Sequence, residues 1–226
     1  MRIHRMFPLS TGRVEARTTG GRPASWAATG RSGGISRSPY DSLNLAGYVG
    51  DSDVAVAENH RRLAASQGLP EGRIVVMDSV HGADVAVVTG PGVVPGVDAL
   101  LTQEPDLAIV ALGADCVPIV LIGDDDLTVA VAHCGWRGLV ADVLGAVVTA
   151  MADHGSGVER AILGPAVCGQ CYPVPAERAA ARPVGRVPRD RPRQLGGRRN
   201  LRLQDGARGG RRRRDRCGSS GGAGGG

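Results

Sequence analysis

A sharp change in composition near residue 175 limits the part of the chain that can form a core. Residues 1–175 contain 12 arginines and 18 acidic residues, whereas residues 176–226 contain 15 arginines, four acidic residues and only five leucines or valines. The second segment has too little apolar surface to offset the conformational entropy that ordering would cost. We therefore expect one folded domain followed by a disordered tail rich in arginine and glycine.

Three interpretations of the tail stay open. Residues 211–214 are four consecutive arginines that could neutralise nucleic-acid phosphates, but the tail has no aromatic residue on which bases could stack. All 27 basic residues of the chain are arginine, which indicates a GC-rich genome, and GC-rich DNA read out of frame encodes arginine, glycine, proline and alanine. A frameshift product is the favoured interpretation, ahead of a natural tail and of a nucleic-acid-binding arm.

The sequence favours a cytoplasmic protein with no membrane partner. The longest apolar runs, residues 107–114 and 127–132, are far shorter than the ~20 residues that span a bilayer. No apolar segment of a secretory signal follows Arg2 and Arg5. Five irregularly spaced cysteines do not have the pattern of a disulfide framework.

Short β-branched runs mixed with helical segments predict an α/β fold with a single domain. Helices are expected at residues 53–67 and 139–152. Strands are expected at residues 73–77, 84–89, 107–112, 117–122 and 127–132. Residues 1–28 have weak periodicity and form a poorly defined segment, so the expected domain occupies residues 29–175 and the tail residues 176–226.

A predicted hairpin brings a cysteine and a histidine together. Residues 123–126, Gly-Asp-Asp-Asp, separate two apolar runs, and we centre the turn between Asp124 and Asp125. In that register Cys116 and His133 are cross-strand partners, with Cβ atoms about 4.5–5.5 Å apart. A thiol and an imidazole at that distance share a metal ion or form a nucleophile–base pair.

A metal site needs a third ligand, and the other four histidines are the first candidates. His4 is terminal, His60 lies on a polar helix face and His154 ends a helix, whereas His81 lies between two predicted strands. His81 is therefore the remaining candidate, although a single loop histidine or isolated cysteine is more often no ligand at all.

Three other motifs have a functional and a structural interpretation. Cys168 and Cys171 have CxxC spacing without the flanking features of a redox motif, which favours structural thiols. The three aspartates at 124–126 could bind a cation but favour a solvated turn. Arg137 precedes a predicted helix, where it could meet an anion or stack on Trp136.

Residues 132–139, AHCGWRGL, resemble the signature of the laccase-domain (polyphenol oxidase, YfiH-type) family of bacterial purine nucleoside phosphorylases. Further blocks follow the family's order at residues 29–36, 42–45, 49–51, 58–59, 80–82, 98–102, 114–116, 164–166 and 171–172. Ser79 and Pro173 depart from the family, which usually has glutamine and glutamate there. The resemblance ends near Val174, so the C-terminal part of the family's domain is expected to be missing.

The resemblance implies a layered sandwich with mixed β-sheets and a metal centre of two histidines and one cysteine. Those ligands fall on His81, Cys116 and His133, which would hold zinc and take part in catalysis. The implied activities are phosphorolysis of adenosine, inosine and methylthioadenosine, together with deamination of adenosine. Purine nucleosides and phosphate would then be the partners of a monomer or homodimer.

Substrate-binding residues and alternative functions follow from the same motifs. Arg31, Asn44 and Arg137 are expected to bind substrate, with one arginine holding phosphate. A metal-free cysteine hydrolase acting on a cell-wall precursor would use Cys116 as nucleophile and His133 as base. A copper-dependent polyphenol oxidase is a further alternative, because a His₂Cys set also resembles a copper site. Against it, no axial methionine is identifiable, and five histidines are too few for a four-copper centre. An inactive remnant, or a protein that binds nucleic acid through its tail, is the third alternative.

Overall fold

The computed structural model describes residues 8–16, 21–169, 171–180 and 202–205. The strands in these ranges are β1 (Pro8–Val14), β2 (Ala24–Thr29), β3 (Ile74–Asp78), β4 (Val85–Val87), β5 (Gly92–Pro95), β6 (Ala99–Thr102), β7 (Ala108–Val110), β8 (Val117–Gly123), β9 (Val129–Cys134), β10 (Val158–Leu163) and β11 (Arg202–Asp205). The helices in the same ranges are α1 (Asp53–Ser66), α2 (Trp136–Val140), α3 (Val143–Asp153) and α4 (Ala176–Ala180).

The strands form one large mixed sheet and two smaller sheets. The large sheet has the order β11-β10-β8-β9-β6-β4. Its outer pairs, β4 with β6 and β10 with β11, are parallel, and its inner pairs are antiparallel. Strands β5, β3 and β7 form a parallel sheet, and β1 pairs with β2 in an antiparallel ribbon. The predicted α/β class with mixed sheets is confirmed.

Alternation along β3 places this strand between two apolar layers, because successive side chains of a strand point to opposite faces. Val75 and Met77 pack against Leu100 of the large sheet. Ile74 and Val76 pack on the other face, against α1. The three-stranded sheet is therefore covered by the large sheet on one side and by α1 on the other.

Helix α3 covers the opposite face of the large sheet. Val143, Val147 and Met151 recur every four residues, lie on one helix face and are fully buried. They pack against alternate residues of β6 and β9, such as Leu101 and Ala132. The layers therefore run α1, small sheet, large sheet, α3, which confirms a single-domain layered sandwich.

One predicted helix is divided in two. The expected helix at residues 139–152 is α2 followed by α3, with the break at Asp142, whose φ is 65°. The Asp142 side chain accepts a hydrogen bond from the backbone N–H of Gly145 and caps α3. The apolar composition of this segment hid the capping role of its single acidic residue.

Six strands within the described residues were not expected from the sequence. They are β1, β2, β5, β6, β10 and β11. The boundary expected between residues 28 and 29 falls inside β2, so residues 24–28 belong to the same strand as Thr29. Strand β6 is completely buried, but it is only four residues long, which is too short for periodicity to identify.

Two short elements lie within the segment expected to be disordered. Helix α4 consists of alanine, glutamate and arginine, which are strong helix formers. Strand β11 pairs with β10 through backbone hydrogen bonds, which do not depend on apolar side chains. At these residues the structure differs from the expectation, and the rest of the predicted tail lies outside the described residues. Among the described helices, none has the length and apolar character to cross a membrane.

Candidate metal centre

The β8–β9 hairpin has a different register from the one predicted. Pro118 is opposite His133, so the expected direct pairing of Cys116 with His133 is wrong by two residues. A one-residue shift would have moved one of these side chains to the other face of the sheet. A two-residue shift keeps both on the same face, where diagonal neighbours remain within reach.

The register differs because the turn is longer than predicted. The backbone N–H of Gly123 donates to the carbonyl of Thr128, which leaves residues 124–127 as the loop. Asp125 Oδ1 accepts hydrogen bonds from the backbone N–H groups of Leu127 and Thr128 and from Ser156 Oγ. These bonds hold the carboxylate in the turn, in agreement with its structural interpretation.

Three predicted ligands meet at this end of the hairpin. The candidate ligand atoms of His81, Cys116 and His133 all lie within 4.8 Å of one another. The rings of His81 and His133 meet edge to face, with centroids 4.8 Å apart. His133 is buried, Cys116 is half-buried and His81 is exposed, so the cluster opens to solvent on the side of His81.

Asp98 is the anchor of the cluster, and it was missed as a functional residue. It is fully buried, and its Oδ1 lies 2.9 Å from His133 Nδ1. The same carboxylate accepts backbone N–H bonds from Val80, His81 and Gly82. One side chain therefore positions a histidine of β9 and the loop that carries the other histidine. The available signal was an acidic residue immediately before an apolar strand.

The protonation of this pair leaves a metal-binding nitrogen available. Burial raises the pKa of Asp98, but hydrogen bonds from His133 and the three backbone N–H groups outweigh it, so the pKa lies below its usual value. An ionised carboxylate only accepts hydrogen bonds, so the proton is on His133 Nδ1. In the neutral imidazole, Nε2 of His133 carries the lone pair, as in metal-binding histidines oriented by a carboxylate.

His81 reaches the cluster from a loop in an uncommon backbone conformation. Its φ is 64°, in the left-handed region that non-glycine residues seldom adopt. The Asp98 carboxylate holds the loop in this conformation through the N–H groups of His81 and its two neighbours. Strained backbone that the surrounding structure maintains is often found at functional sites.

The donor set fits a divalent metal such as zinc. Two imidazole nitrogens and one thiolate are common zinc ligands, and tetrahedral zinc with bonds of 2.0–2.3 Å separates its ligand atoms by about 3.5 Å. Ligand atoms already within 4.8 Å of one another need only a small adjustment. Burial, followed by the charges of Asp115 and Asp98, raises the pKa of the Cys116 thiol, and metal coordination would favour its thiolate.

The neighbouring cysteine, Cys134, faces away from the cluster. It belongs to the apolar cluster beneath α3, because adjacent residues of β9 point to opposite faces. Burial raises its pKa to about 12. Cys134 is therefore a core thiol, although it directly follows the candidate ligand His133 in sequence.

The glycines of the signature leave space for the cluster. A Cβ atom at Gly135 would lie 2.7 Å from Cδ2 of His81 and 3.1 Å from Sγ of Cys116. A Cβ atom at Gly138 would lie 2.8 Å from the carbonyl oxygen of Gly82, in the loop that carries His81. Gly135 and Gly138 of the signature are thus required because this segment packs closely against Cys116 and the loop that carries His81.

We expect Gly135→Ala to lower metal affinity at least about tenfold, since losing an orienting contact typically costs 10–100-fold. The added methyl group would displace His81 or Cys116, and isothermal titration of the metal-free protein with zinc would measure the change. Gly90→Ala is the matched control, because a Cβ atom there has no neighbour within 4 Å. Equal zinc affinity in the two variants would contradict the packing argument.

The three predicted substrate-binding residues have different surroundings. A large cleft between the sheets is lined by the three cluster residues together with Arg31 and Asn44. Arg31 is exposed, and its Nε donates to the carbonyl of Asp41. Asn44 is engaged within its own loop, where it donates to Asp51 and accepts from the N–H of Ala46.

Arg137 lies outside this cleft. Its Cζ is 5.4 Å from the centroid of the Trp136 ring, which is the stacked arrangement weighed as one of its two interpretations. The motif cysteines Cys168 and Cys171 are both exposed, and the N–H of Cys171 donates to the carbonyl of Cys168 in a turn.

Comparison with known proteins gives a family for the chain. The family described as "Multi-copper polyphenol oxidoreductase laccase" matches residues 25–207. The chain belongs to this laccase-like family. The match begins within β2 and continues past Val174, where the resemblance of the motifs ends, to include β11.

Relatives of this laccase-like chain carry a different functional name. A protein of Streptomyces coelicolor named purine nucleoside phosphorylase is 48% identical over 162 residues, which cover 70% of this chain and 67% of the relative. Purine nucleoside phosphorylase YfiH of Escherichia coli is 40% identical over 148 residues, which cover 65% of this chain and 60% of the relative.

Two solved structures have a similar fold. YlmD from Geobacillus stearothermophilus superposes with a TM-score of 0.63 at 34% identity, over 67% of this chain and 61% of YlmD. YfiH from Bacillus licheniformis superposes with a TM-score of 0.64 at 27% identity, over 69% of this chain and 63% of that one. The chain thus matches about two thirds of the length of these relatives.

Proposed function

We propose that the protein is a zinc-dependent purine nucleoside phosphorylase. The observation that carries the proposal is the cluster of His81, Cys116 and His133 in a chain whose relatives bear that name. Three protein ligands with a further position open to solvent are typical of catalytic zinc sites. The substrates would be adenosine, inosine and methylthioadenosine, each with inorganic phosphate.

The positions of the methionines favour zinc over a blue-copper type of site. Such copper sites add a weak axial ligand, usually methionine, to their His₂Cys set. Met77 and Met151, the methionines that the structure describes, are buried in apolar clusters away from the ligands. Two histidines and one cysteine, with one side open to solvent, are compatible with a catalytic zinc site.

The proposed reaction transfers a ribosyl group to phosphate. A phosphate oxygen bonds to C1′ of the ribose while the bond from C1′ to the purine nitrogen breaks, and the purine leaves with the electron pair and acquires a proton. Bound zinc would supply Lewis acidity at a substrate oxygen. Asp98 would keep His133 in one tautomer, and Arg31 and Arg137 are the candidates to hold phosphate through paired N–H groups.

The same centre would support deamination of adenosine. In that reaction water adds at the purine carbon that bears the amino group, and ammonia leaves. The change needs no phosphate, so the two activities can be separated by leaving phosphate out. This side activity is part of the proposal because a catalytic zinc site also lowers the pKa of water toward neutrality.

The cysteine-hydrolase alternative has less support. A nucleophile–base pair requires hydrogen-bond distance between the two groups, and no hydrogen bond joins Cys116 Sγ to His133. We also propose a cytoplasmic location, where a reducing environment would keep the Cys116 thiol available as a ligand.

Release of hypoxanthine from inosine is expected to require phosphate. Separation of the products by liquid chromatography should show hypoxanthine and ribose 1-phosphate in equal amounts with phosphate, and neither without it. Ammonia release from adenosine should continue when phosphate is omitted. Equal base release with and without phosphate would instead identify a nucleoside hydrolase.

A further inference from the structure

Two arginines lie against one tryptophan beside the metal centre. Cζ of Arg137 is 5.4 Å and Cζ of Arg178 is 4.8 Å from the centroid of the Trp136 ring. Both distances lie within the ~6 Å typical of cation–π contacts. Trp136 follows Gly135, the residue whose Cβ would contact Cys116 and His81. The residue that carries the arginine pair is therefore next in sequence to one that packs against two of the proposed ligands.

A tyrosine completes this group. Arg178 Nη1 donates a hydrogen bond to Tyr172 Oη at 3.2 Å. The hydroxyl oxygen of Tyr172 is thus used as an acceptor, which leaves its own O–H to donate elsewhere. Tyr172 and Arg178 follow a segment, residues 164–167, that lines the cleft of the metal cluster, and Val167 N–H donates to the carbonyl of Asp115.

The charge of this group is not balanced within the described part of the chain. Neither Arg137 nor Arg178 forms an ion pair there, and Glu177, the acidic residue adjacent to Arg178, is exposed. Two guanidinium groups on one indole concentrate positive charge at one place, which favours the binding of an anion there. Guanidinium N–H groups match the oxygens of a phosphate group, to which they form charge-assisted hydrogen bonds.

We infer that Arg137, Arg178 and Tyr172 hold a phosphate group, with Trp136 as the platform that positions both guanidinium groups. The inference rests on the proposed function for its biological meaning, because phosphorolysis needs phosphate bound next to the metal centre. It adds Arg178, from the segment expected to be disordered, to the substrate-binding residues. Inorganic phosphate and the 5′-phosphate of a phosphorylated ribose share this chemistry.

Fluorescence of Trp136 reports directly on this group. The chain has two tryptophans, so in a Trp26→Phe variant the remaining signal comes from Trp136. Inorganic phosphate and ribose 5-phosphate are titrated separately into this protein, with sodium chloride at matched ionic strength. We expect a saturable change with at least one of them and none with chloride. No saturable change with either phosphate would overturn the inference.

Substitutions then identify the residues responsible. In the Trp26→Phe background, Arg178→Ala is expected to weaken phosphate binding at least about tenfold, because a charge-assisted hydrogen bond is lost. Arg37→Ala is the matched control, since Arg37 is exposed and belongs to another loop. If Trp26→Phe does not fold, equilibrium dialysis with radiolabelled phosphate compares the phosphate affinities of Arg178→Ala and Arg37→Ala in the chain that keeps Trp26. Equal phosphate affinity in the two arginine variants would overturn the inference.

Kinetics separate this inference from the proposed function. Arg178→Ala should raise the KM for phosphate at least about tenfold and leave the KM for inosine within about twofold. Phosphate-dependent base release with an unchanged phosphate KM would overturn the inference and leave the function standing. Phosphate binding that is lost in Arg178→Ala, without any base release by the wild-type chain, would support the inference and contradict the function.

Discussion

A Cys116→Ala variant is expected to purify without metal and without phosphorolytic activity. Residues that only orient a ligand typically contribute 10–100-fold to metal affinity, so loss of the single thiolate should reduce affinity by more than about 100-fold. Elemental analysis by mass spectrometry after dialysis should give about one zinc per wild-type chain and close to none for the variant. His133→Ala should give the same result, because it removes the buried ligand.

The control for this experiment removes a thiol elsewhere. Cys168 is exposed and belongs to the motif outside the cluster, so Cys168→Ala should retain wild-type zinc and activity. Circular dichroism of each variant checks that the fold is kept. Full zinc retention in both Cys116→Ala and His133→Ala would refute the site assignment, and copper in the wild-type protein would refute the choice of zinc.

The three residues of the cluster could be predicted because independent features of the sequence led to the same positions. The family signature and the hairpin both selected Cys116 and His133, and elimination among the histidines selected His81. The predicted register was wrong, yet the error was an even number of residues, so it kept both side chains on one face. The alternation of apolar residues determines which face of the sheet a side chain occupies. The pairing register of β8 with β9 depends on the turn between them.

The turn itself could not be predicted from residue types. Three consecutive aspartates permit a two-residue or a four-residue loop, and the choice depends on the side-chain bonds of Asp125 to Thr128 and to Ser156. Ser156 lies in a distant part of the chain. A contact between segments far apart in sequence leaves no local pattern.

The same reason explains the missed positions of Asp98 and Arg178. Asp98 acts on a loop and on a strand that are separate from it in sequence. Arg178 contacts Trp136 across the site, and it belongs to a segment whose composition favoured disorder. In both cases the residue type was visible, but its partners depended on the order of strands and layers.

Asp98→Asn is expected to be the most destabilising single substitution near the centre. Asp98 Oδ1 accepts from His133 and the His81 N–H, and Oδ2 accepts from the N–H groups of Val80 and Gly82. The amide nitrogen of asparagine would replace one of these oxygens, and it donates hydrogen bonds instead of accepting them. The two N–H groups that point at that position would lose their acceptor inside a fully buried site. We expect a loss of about 3–5 kcal/mol, because two buried N–H groups would lose their acceptor at about 1–3 kcal/mol each.

Two measurements test this expectation with one control. Calorimetry should show a Tm lower by roughly 6–20 °C, since each kcal/mol corresponds to about 2–4 °C in a chain of this size. Zinc affinity should fall about 10–100-fold, because His133 loses the group that fixes its tautomer. Asp84→Asn is the matched control, as Asp84 is exposed and only its backbone carbonyl contacts Asp98. Equal Tm and zinc affinity in Asp98→Asn and Asp84→Asn would mean that the Asp98 carboxylate neither anchors the His81 loop nor orients His133. The proposed ligands would then have to be held by the backbone of β9 and by the close packing of the neighbouring glycines.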